Sequence, residues 1–344
     1  MHQQKNNSQR SNARHGEAGV KAEAAEVRND TDEASLSARA AWLYFSGGMT
    51  QGQIAKRLGV ANTKAHRLIA RATRDGLIRV FVEGEVAECV RLEDDLAERF
   101  GLDFCRVAPD LDEPGMPLIA LGLAGATFLK NEIERGEHRL IGIGHGRTLA
   151  AAVGRMPQLE AGETQFVSVL GGFNRRFATN PFDVIHRLAE KTRAEAYQIP
   201  LPLFANSVED KAVLIAQSGI GEVFDLACSA TLVFAGIGSV SADASLLANH
   251  MIGEEEMSLL RESGAEGELL GHYFRLSGEP TAEAFSARAL SPGLEHLRRA
   301  SVVALAGGAE KIRPTLSLLR SGVLNGLVID EATARKVLGE APEG

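Results

Sequence analysis

The residues most able to grip a small ligand fall in short glycine-rich runs, each behind a short apolar run. Gly144, His145, Gly146, Arg147 and Thr148 follow Leu140–Ile143, and Gly171 and Gly172 follow Phe166–Leu170. GIGSVSAD, with Gly236 and Gly238, follows Leu232–Ala235. GGAEK, with Gly307, Gly308 and the cation Lys311, follows Val302–Leu305. Glycine lets backbone N–H groups approach a ligand, and a helix starting there favours a phosphate or hydroxyl oxygen. One such cluster is common at any strand-to-helix turn. Four at successive strand ends point to a site for a small anionic or polyol ligand. The pieces do not form a dinucleotide fingerprint: GxGxxG is incomplete in GIGHGRT, no acidic ribose partner follows, and the Walker pattern is absent. No cofactor is implied.

A second set of polar residues sits near the front and suits a different chemistry. Thr50–Leu58 reads as a short helix, Gly59-Val60-Ala61 as a tight turn and Asn62–Asp75 as a second helix. Thr50, with Gln53 three residues on, has the reciprocal capping-box pattern. Ile54, Ala55 and Leu58 share one apolar face, as do Ala65, Leu68, Ile69 and Ala72 on the second helix. Left outward are Gln51, Asn62, Thr63, Lys64, His66, Arg67 and Arg71, the amide, hydroxyl and cationic donors a major-groove reader needs. Together with Thr50 these are the candidate DNA contacts, and LIRVFV after Gly76 alternates like a small strand or wing. Two short amphipathic helices around a glycine turn also occur in helical domains that bind no DNA. Charge favours the DNA reading: residues 32–83 carry about +4 in a chain of net charge −8. A basic island in an acidic chain is the footprint of a nucleic-acid module.

The elements that must position these residues divide the 344-residue chain into segments. Residues 1–31 are polar and poor in large hydrophobics, so they read as a disordered tail; Arg10 and Arg14 there are solvated or touch phosphate. Residues 32–84 form the helix-turn-helix domain. Its leading helix, Asp32–Ser46, places Leu36, Ala40, Leu43 and Tyr44 on one side, with Trp42 in core or dimer packing. Residues 85–100 form a linker helix whose apolar face (Val86, Cys89, Leu92, Leu96, Phe100) either pairs with a second copy or lies on its own domain. From 101 to 344, short strands alternate with helices. Cys105–Ala108, Leu140–Ile143, Phe166–Leu170, Leu232–Ala235, Val302–Leu305 and Leu327–Ile329 read as strands. Leu118–Glu134, Pro181–Arg193, Ser207–Gln217 and Ile312–Arg320 read as helices. This alternation implies an α/β fold: an open, mostly parallel, Rossmann-like sheet with helices on both faces and ligands beyond the strands' carboxyl ends. Cys89, Cys105 and Cys228 have no metal or disulfide spacing, so no metal is expected. With no 18-residue apolar span and no signal-peptide core, a cytoplasmic protein without membrane contact is expected.

Along essentially everything after the tail, the chain resembles the SorC family of sugar-responsive bacterial transcriptional regulators. The resemblance is carried by TQGQIAKRLGVANTKAHRLIARATRDGLI, GIGHGRTL, SVLGG, GIGSV, AEGELLGHYF and ALAGGAEKIRPTLSLLRSGVLNGLVIDEATA, in that order. It implies a winged helix-turn-helix domain joined to a sugar-binding effector and oligomerisation domain of the phosphosugar isomerase/deaminase type. It also implies a homo-oligomer, dimer or tetramer, on a double-stranded operator of a carbohydrate or sugar-alcohol (erythritol-type) catabolic operon. A sugar, polyol or sugar phosphate then alters DNA affinity. By motif, the effector loop is Gly144–Thr148, and Glu268 falls at the family's acidic position, suited to accept hydroxyl hydrogen bonds. Gly307, Gly308 and Lys311 match the last loop. Family members often carry Trp or a small residue where this chain has His145, which leaves ligand size and polarity open.

The competing class is a sugar-phosphate isomerase or deaminase with an appended DNA head. It would need a base beside a carbonyl, with His145, Asp243, His250 and Glu268 as candidates. GIGSVSADASL lacks the acid-histidine run of the related deaminases, so Asp243 reads as a cap and His250 as an exposed helical residue. The sequence therefore favours a non-enzyme. Repression is the default because occlusion needs no polymerase contacts.

Overall fold

A computed structural model describes residues 33–45, 47–77, 87–172, 184–241, 245–248 and 250–340. The tail 1–31, the wing segment beyond Leu77 (with Arg79) and Asp243 lie outside the described residues. The chain divides into two compact units, Met1–Glu83 and Gly84–Gly344.

In the first unit, helix α1 (33–45) precedes α2 (Gln51–Leu58) and α3 (Asn62–Arg74). Thr50 caps α2 reciprocally with Gln53: each backbone N–H donates to the other's side chain. Gly59 then takes the left-handed conformation (φ 66°), which costs a residue with a Cβ more, and the chain reverses. Ala40, Leu43, Ile54, Ala55, Ala65, Leu68 and Ile69 form one small core. One expectation for α1 fails, and of the two roles open to Trp42 the intramolecular core is ruled out. Tyr44 is exposed and stacks edge-on with Phe45, while Ser37 and Ala41 are buried with Ala40 and Leu43. Trp42 is 63% exposed and outside this core.

The second unit is built on seven parallel strands in the order β1 (Phe104–Ala108), β11 (Gly326–Asp330), β10 (Ser301–Ala306), β5 (Leu232–Gly236), β2 (Leu140–Ile143), β3 (Gln165–Ser168) and β4 (Ala196–Tyr197). Along β10, side chains alternate between two cores: Val302, Ala304 and Ala306 face one, Val303 and Leu305 the other. Period-two alternation into two apolar layers is what a sheet covered on both faces requires. The first layer packs α4 (Ala87–Phe100), α9 (Ile220–Cys228), α14 (Ile312–Arg320) and α15 (Glu331–Glu340) around that core. The second holds α5 (Leu118–Arg135), α6 (Arg147–Arg155) and α7 (Ile185–Thr192). The third strand ends at Ser168, two residues short of the expected Leu170, and the described part of the helix expected over Pro181–Arg193 is α7. Ser207 caps α8 (Val208–Ile215) by accepting from the Asp210 N–H.

A second, antiparallel sheet was not anticipated: β6 (Gly238–Ser239), β7 (Gly267–Leu269), β8 (His272–Phe274) and β9 (Pro280–Thr281). Strands of two or three residues are too short to show a period. Helices α10 (Ser245–Ala248), α11 (Glu254–Glu262), α12 (Glu283–Ser286) and α13 (Leu294–Leu297) alternate with or follow these strands along the chain. Among the described residues, no helix is long and apolar enough to cross a membrane.

Of the two roles open to the 85–100 helix, its apolar face takes the intramolecular one. Cys89, Leu92 and Leu96 are buried in the same core as Val337 of α15, while Val90 points outward. Leu96→Ala should therefore destabilise this unit by about 2–5 kcal/mol, the cost of a large-to-small change in a packed core. Val90→Ala should shift it by no more than about 0.5 kcal/mol. Urea unfolding of the two variants measures both; similar losses would place α4 elsewhere.

Candidate functional site

Three neighbouring strands, β10, β5 and β2, end side by side, and their following loops open one cleft. It encloses about 860 Å³ of open space, mouth included, the size of a small-molecule site. From the β2 loop come Gly144, His145, Gly146, Arg147 and Thr148. The β5 loop gives Gly236 and Gly238, and the β10 loop Gly307 and Lys311. Gly146 at φ 128° is a conformation glycine alone takes easily, and α6 starts directly after it with no side-chain cap and no acid in its first turn. The α6 amides thus open toward the cleft with their dipole unopposed. Thr148 Oγ1 donates to Leu305 O at 3.3 Å, tying the start of α6 to the end of β10.

Glu268 arrives by the small antiparallel sheet, where Gly238 of β6 sits directly opposite it. A Cβ at Gly238 would lie 1.9 Å from Glu268 Oε2, so glycine is what lets the carboxyl occupy this place. The Gly271 N–H donates to the other oxygen, Oε1, at 2.6 Å. Burial pushes the Glu268 carboxyl above the ordinary range; the Gly271 hydrogen bond and the charge of Lys311 pull the other way. Lys311 is only 7% exposed, and among the described residues its ammonium makes no hydrogen bond or ion pair. Burial lowers its pKa against the opposing pull of Glu310 and Glu268. At the mouth, Arg147 and Glu310 approach to 3.9 Å. The cleft therefore offers a cation and open helix amides to an anion or hydroxyl oxygen, and a carboxyl to a hydroxyl.

Three of the expected effector residues lie outside the cleft lining: Gly171, Gly172 and Gly308. A Cβ at Gly171 would lie 2.0 Å from Pro202 O, so this glycine exists for close backbone packing. The Gly308 N–H is already taken, by Thr333 Oγ1 at 2.9 Å and Asp330 Oδ2 at 3.3 Å. Missed from sequence was the apolar wall of Met116, Leu170, Leu203, Leu246, Met251 and Leu270, which carries no motif. His250 is exposed but sits in a turn at φ 56°, not in a helix, and outside the cleft lining.

In the first unit, Asn62, Thr63, His66 and Arg67 are exposed along one side of α3, while Ala65, Leu68, Ile69 and Ala72 are buried on the other. Lys64 and Gln51 are half-exposed. Ala61 gives α3 no side-chain cap, and its first turn holds no acid. Two expected contacts are occupied otherwise. Thr50 spends its hydroxyl on the capping box. Arg71 bridges Glu33 of α1 at 3.3 Å and Asp75 at 3.1 Å, which braces α3 and offsets its charge.

Comparison with known proteins adds to this geometry. The sugar-binding domain family model (Sugar-bind) matches residues 84–339. The chain is 50% identical over 315 residues to the erythritol catabolism regulatory protein EryD of Brucella abortus, covering 92% of this chain and 99% of that one. It is 31% identical over 315 residues to the transcriptional regulator LsrR of an Enterobacter species, covering 90% and 94%. The crystal structure of the full-length sorbitol operon regulator SorC from Klebsiella pneumoniae superposes with a TM-score of 0.64 at 26% identity, covering 89% of this chain and 99% of that one.

The buried carboxyl gives a pH test. With its pKa raised on folding, Glu268 binds its proton more tightly in the native state than in the unfolded chain. It therefore costs stability as pH rises from the ordinary carboxylate range through the raised value. Between pH 5 and 8, the wild type should lose unfolding free energy relative to Glu268→Gln. Urea titrations at both pH values read this directly, and parallel curves would mean the carboxyl is not desolvated. Gly171→Ala should cost about 1–3 kcal/mol by overpacking in the same titration, without changing ligand affinity.

Proposed function

This chain belongs to the SorC family of sugar-binding transcriptional regulators, and from that membership we propose that it represses a carbohydrate or sugar-alcohol catabolic operon under control of a small polyol or sugar-phosphate effector. Its relatives are named as regulators, not enzymes, and it is a regulator, not an isomerase or deaminase. Relatives named for erythritol catabolism and for a sorbitol operon make polyols and their phosphates the first effectors to try.

One observation carries the effector reading: a buried Lys311 ammonium, without a partner among the described residues, shares the cleft with a buried Glu268 carboxyl. Leaving a buried charge uncompensated is expensive, so the cleft is poised for a ligand that completes it. An anionic or hydroxyl oxygen fits Lys311 and the α6 amides, a hydroxyl fits Glu268, and carbon-bound hydrogens fit the apolar wall. The second unit is of the phosphosugar isomerase/deaminase type, used here for binding.

For DNA we read α2 and α3 as a helix-turn-helix. Asn62, Thr63, Lys64, His66 and Arg67 meet base edges and phosphates, helped by the uncapped start of α3 and by Gln51. Arg71 acts chiefly as a brace. The protein works in the cytoplasm as a homo-oligomer whose geometry sets the spacing of two reading heads. Effector binding favours one arrangement, and operator affinity shifts by its differential affinity for the two.

The test is fluorescence anisotropy on DNA from upstream of the protein's own operon, at fixed salt because phosphate contacts dominate affinity. Erythritol, sorbitol and their phosphates are added in turn. Selective binding altered by one compound, with the response lost in Lys311→Met, is expected. Arg67→Ala should weaken operator binding by about 1–3 kcal/mol if it reads a guanine; a smaller loss, equal on random DNA, would make it a phosphate contact. Absence of selectivity over random DNA would overturn the reading.

A further inference from the structure

Behind the cation loop lies a set of buried polar groups that ligand binding does not use. The Gly308 N–H, three residues before Lys311, donates to Asp330 Oδ2 at the end of β11 and to Thr333 Oγ1 in the first turn of α15. The Thr333 N–H donates in turn to Asp330 Oδ1 at 3.3 Å. Asp330 and Thr333 are both buried. A Cβ at Gly307 would lie 2.5 Å from Asp330 Oδ2, so glycine there is what lets the carboxylate reach the loop. The loop that presents Lys311 is thus clamped from behind by the start of one helix.

That helix is fastened to α4. Ala334 and Val337 are buried in one core with Cys89, Leu92 and Leu96. The Arg335 guanidinium joins Glu88 of α4 to Glu331, and Glu331 also accepts from the Asp110 N–H at 3.1 Å. At the other end of α4, Arg99 Nη1 donates to Leu338 O at 3.3 Å. These contacts hold α4 near both its ends, and α4 is the first helix after the segment that joins the two units.

We propose that α15, through Asp330, Thr333 and Arg335, is the strut that positions the cation loop and passes its displacement to α4 when the effector binds. This rests on the effector reading above. The buried hydrogen bonds at Gly308 are costly to break, so loop and helix move together. Packed helices move as bodies rather than deform. Asp330 and Thr333 are positioning residues; Arg335 and Glu88 do not line the cleft.

The experiment measures two quantities on the full-length chain, with erythritol and erythritol 4-phosphate as separate probes. One is probe affinity without DNA, by calorimetry. The other is the ratio of operator affinities with and without saturating probe. Arg335→Gln and Glu88→Gln should keep probe affinity within about twofold while the ratio falls about threefold, the scale of a half-exposed ion pair. Thr333→Val should weaken both, and Thr333→Ser should restore both. A ratio unchanged in both Arg335→Gln and Glu88→Gln, or falling only in step with probe affinity, would overturn the strut. A wild-type ratio of one with both probes would remove the effector reading itself, and this inference with it.

Discussion

Glu268 and Lys311 are taken out of water in the same cleft without pairing: no ion pair within 4 Å joins them, although each feels the other's charge. Burial works against the charged form of both. A protein selected for stability alone would close the pair or replace it with apolar side chains, a change that is often neutral or stabilising. Here the two are held apart by separate elements. Glu268 is fixed by the Gly238 opening and the Gly271 N–H, Lys311 by a loop clamped from behind. Held apart, each keeps polar atoms that no partner among the described residues satisfies, and on the reading proposed above these are what a ligand would complete.

Most of the fold follows from keeping those groups in place. Parallel strands deliver their loops to one end, and the central three, β10, β5 and β2, deliver the polar ones. The β3 loop is one strand further out, which is why Gly171 serves packing while Leu170 just before it still reaches the apolar wall. The small antiparallel sheet exists on the same logic: Glu268 comes from a segment some thirty residues beyond β6, and pairing β7 with β6 is what brings it over the cleft.

How much of this could be read from residues alone depends on the range of the physics involved. Capping at Thr50, the Gly59 turn and the apolar face of α3 are local, and they appear as expected. So do six of the seven parallel strands, whose apolar runs need only four or five residues to show; the two-residue β4 shows none. Glycine clusters mark strand ends well, but a glycine admitting a ligand and one admitting Pro202 O look alike in sequence. Glu268 was legible only through family resemblance, since its place depends on two-residue pairing. The direction of the α4 apolar face depends on Val337, far along the chain, and no local pattern encodes it.

The same site physics would also serve a catalyst. A carboxyl raised by burial is what a general base at neutral pH requires, and open helix amides are what an oxyanion requires. What separates sensor from enzyme is therefore not the chemistry of Glu268 but what the cleft is connected to. A catalyst gains only from contacts that strengthen in the transition state. A sensor gains from contacts that differ between two conformations of the same protein, so its binding groups must be mechanically tied to something that moves. Lys311 stands on a loop whose backbone is bonded to the first turn of α15, and α15 is fastened to α4. An active-site lysine needs a rigid seat; on the proposal above, Lys311 stands instead on a loop tied through Gly308 to a helix that moves with it.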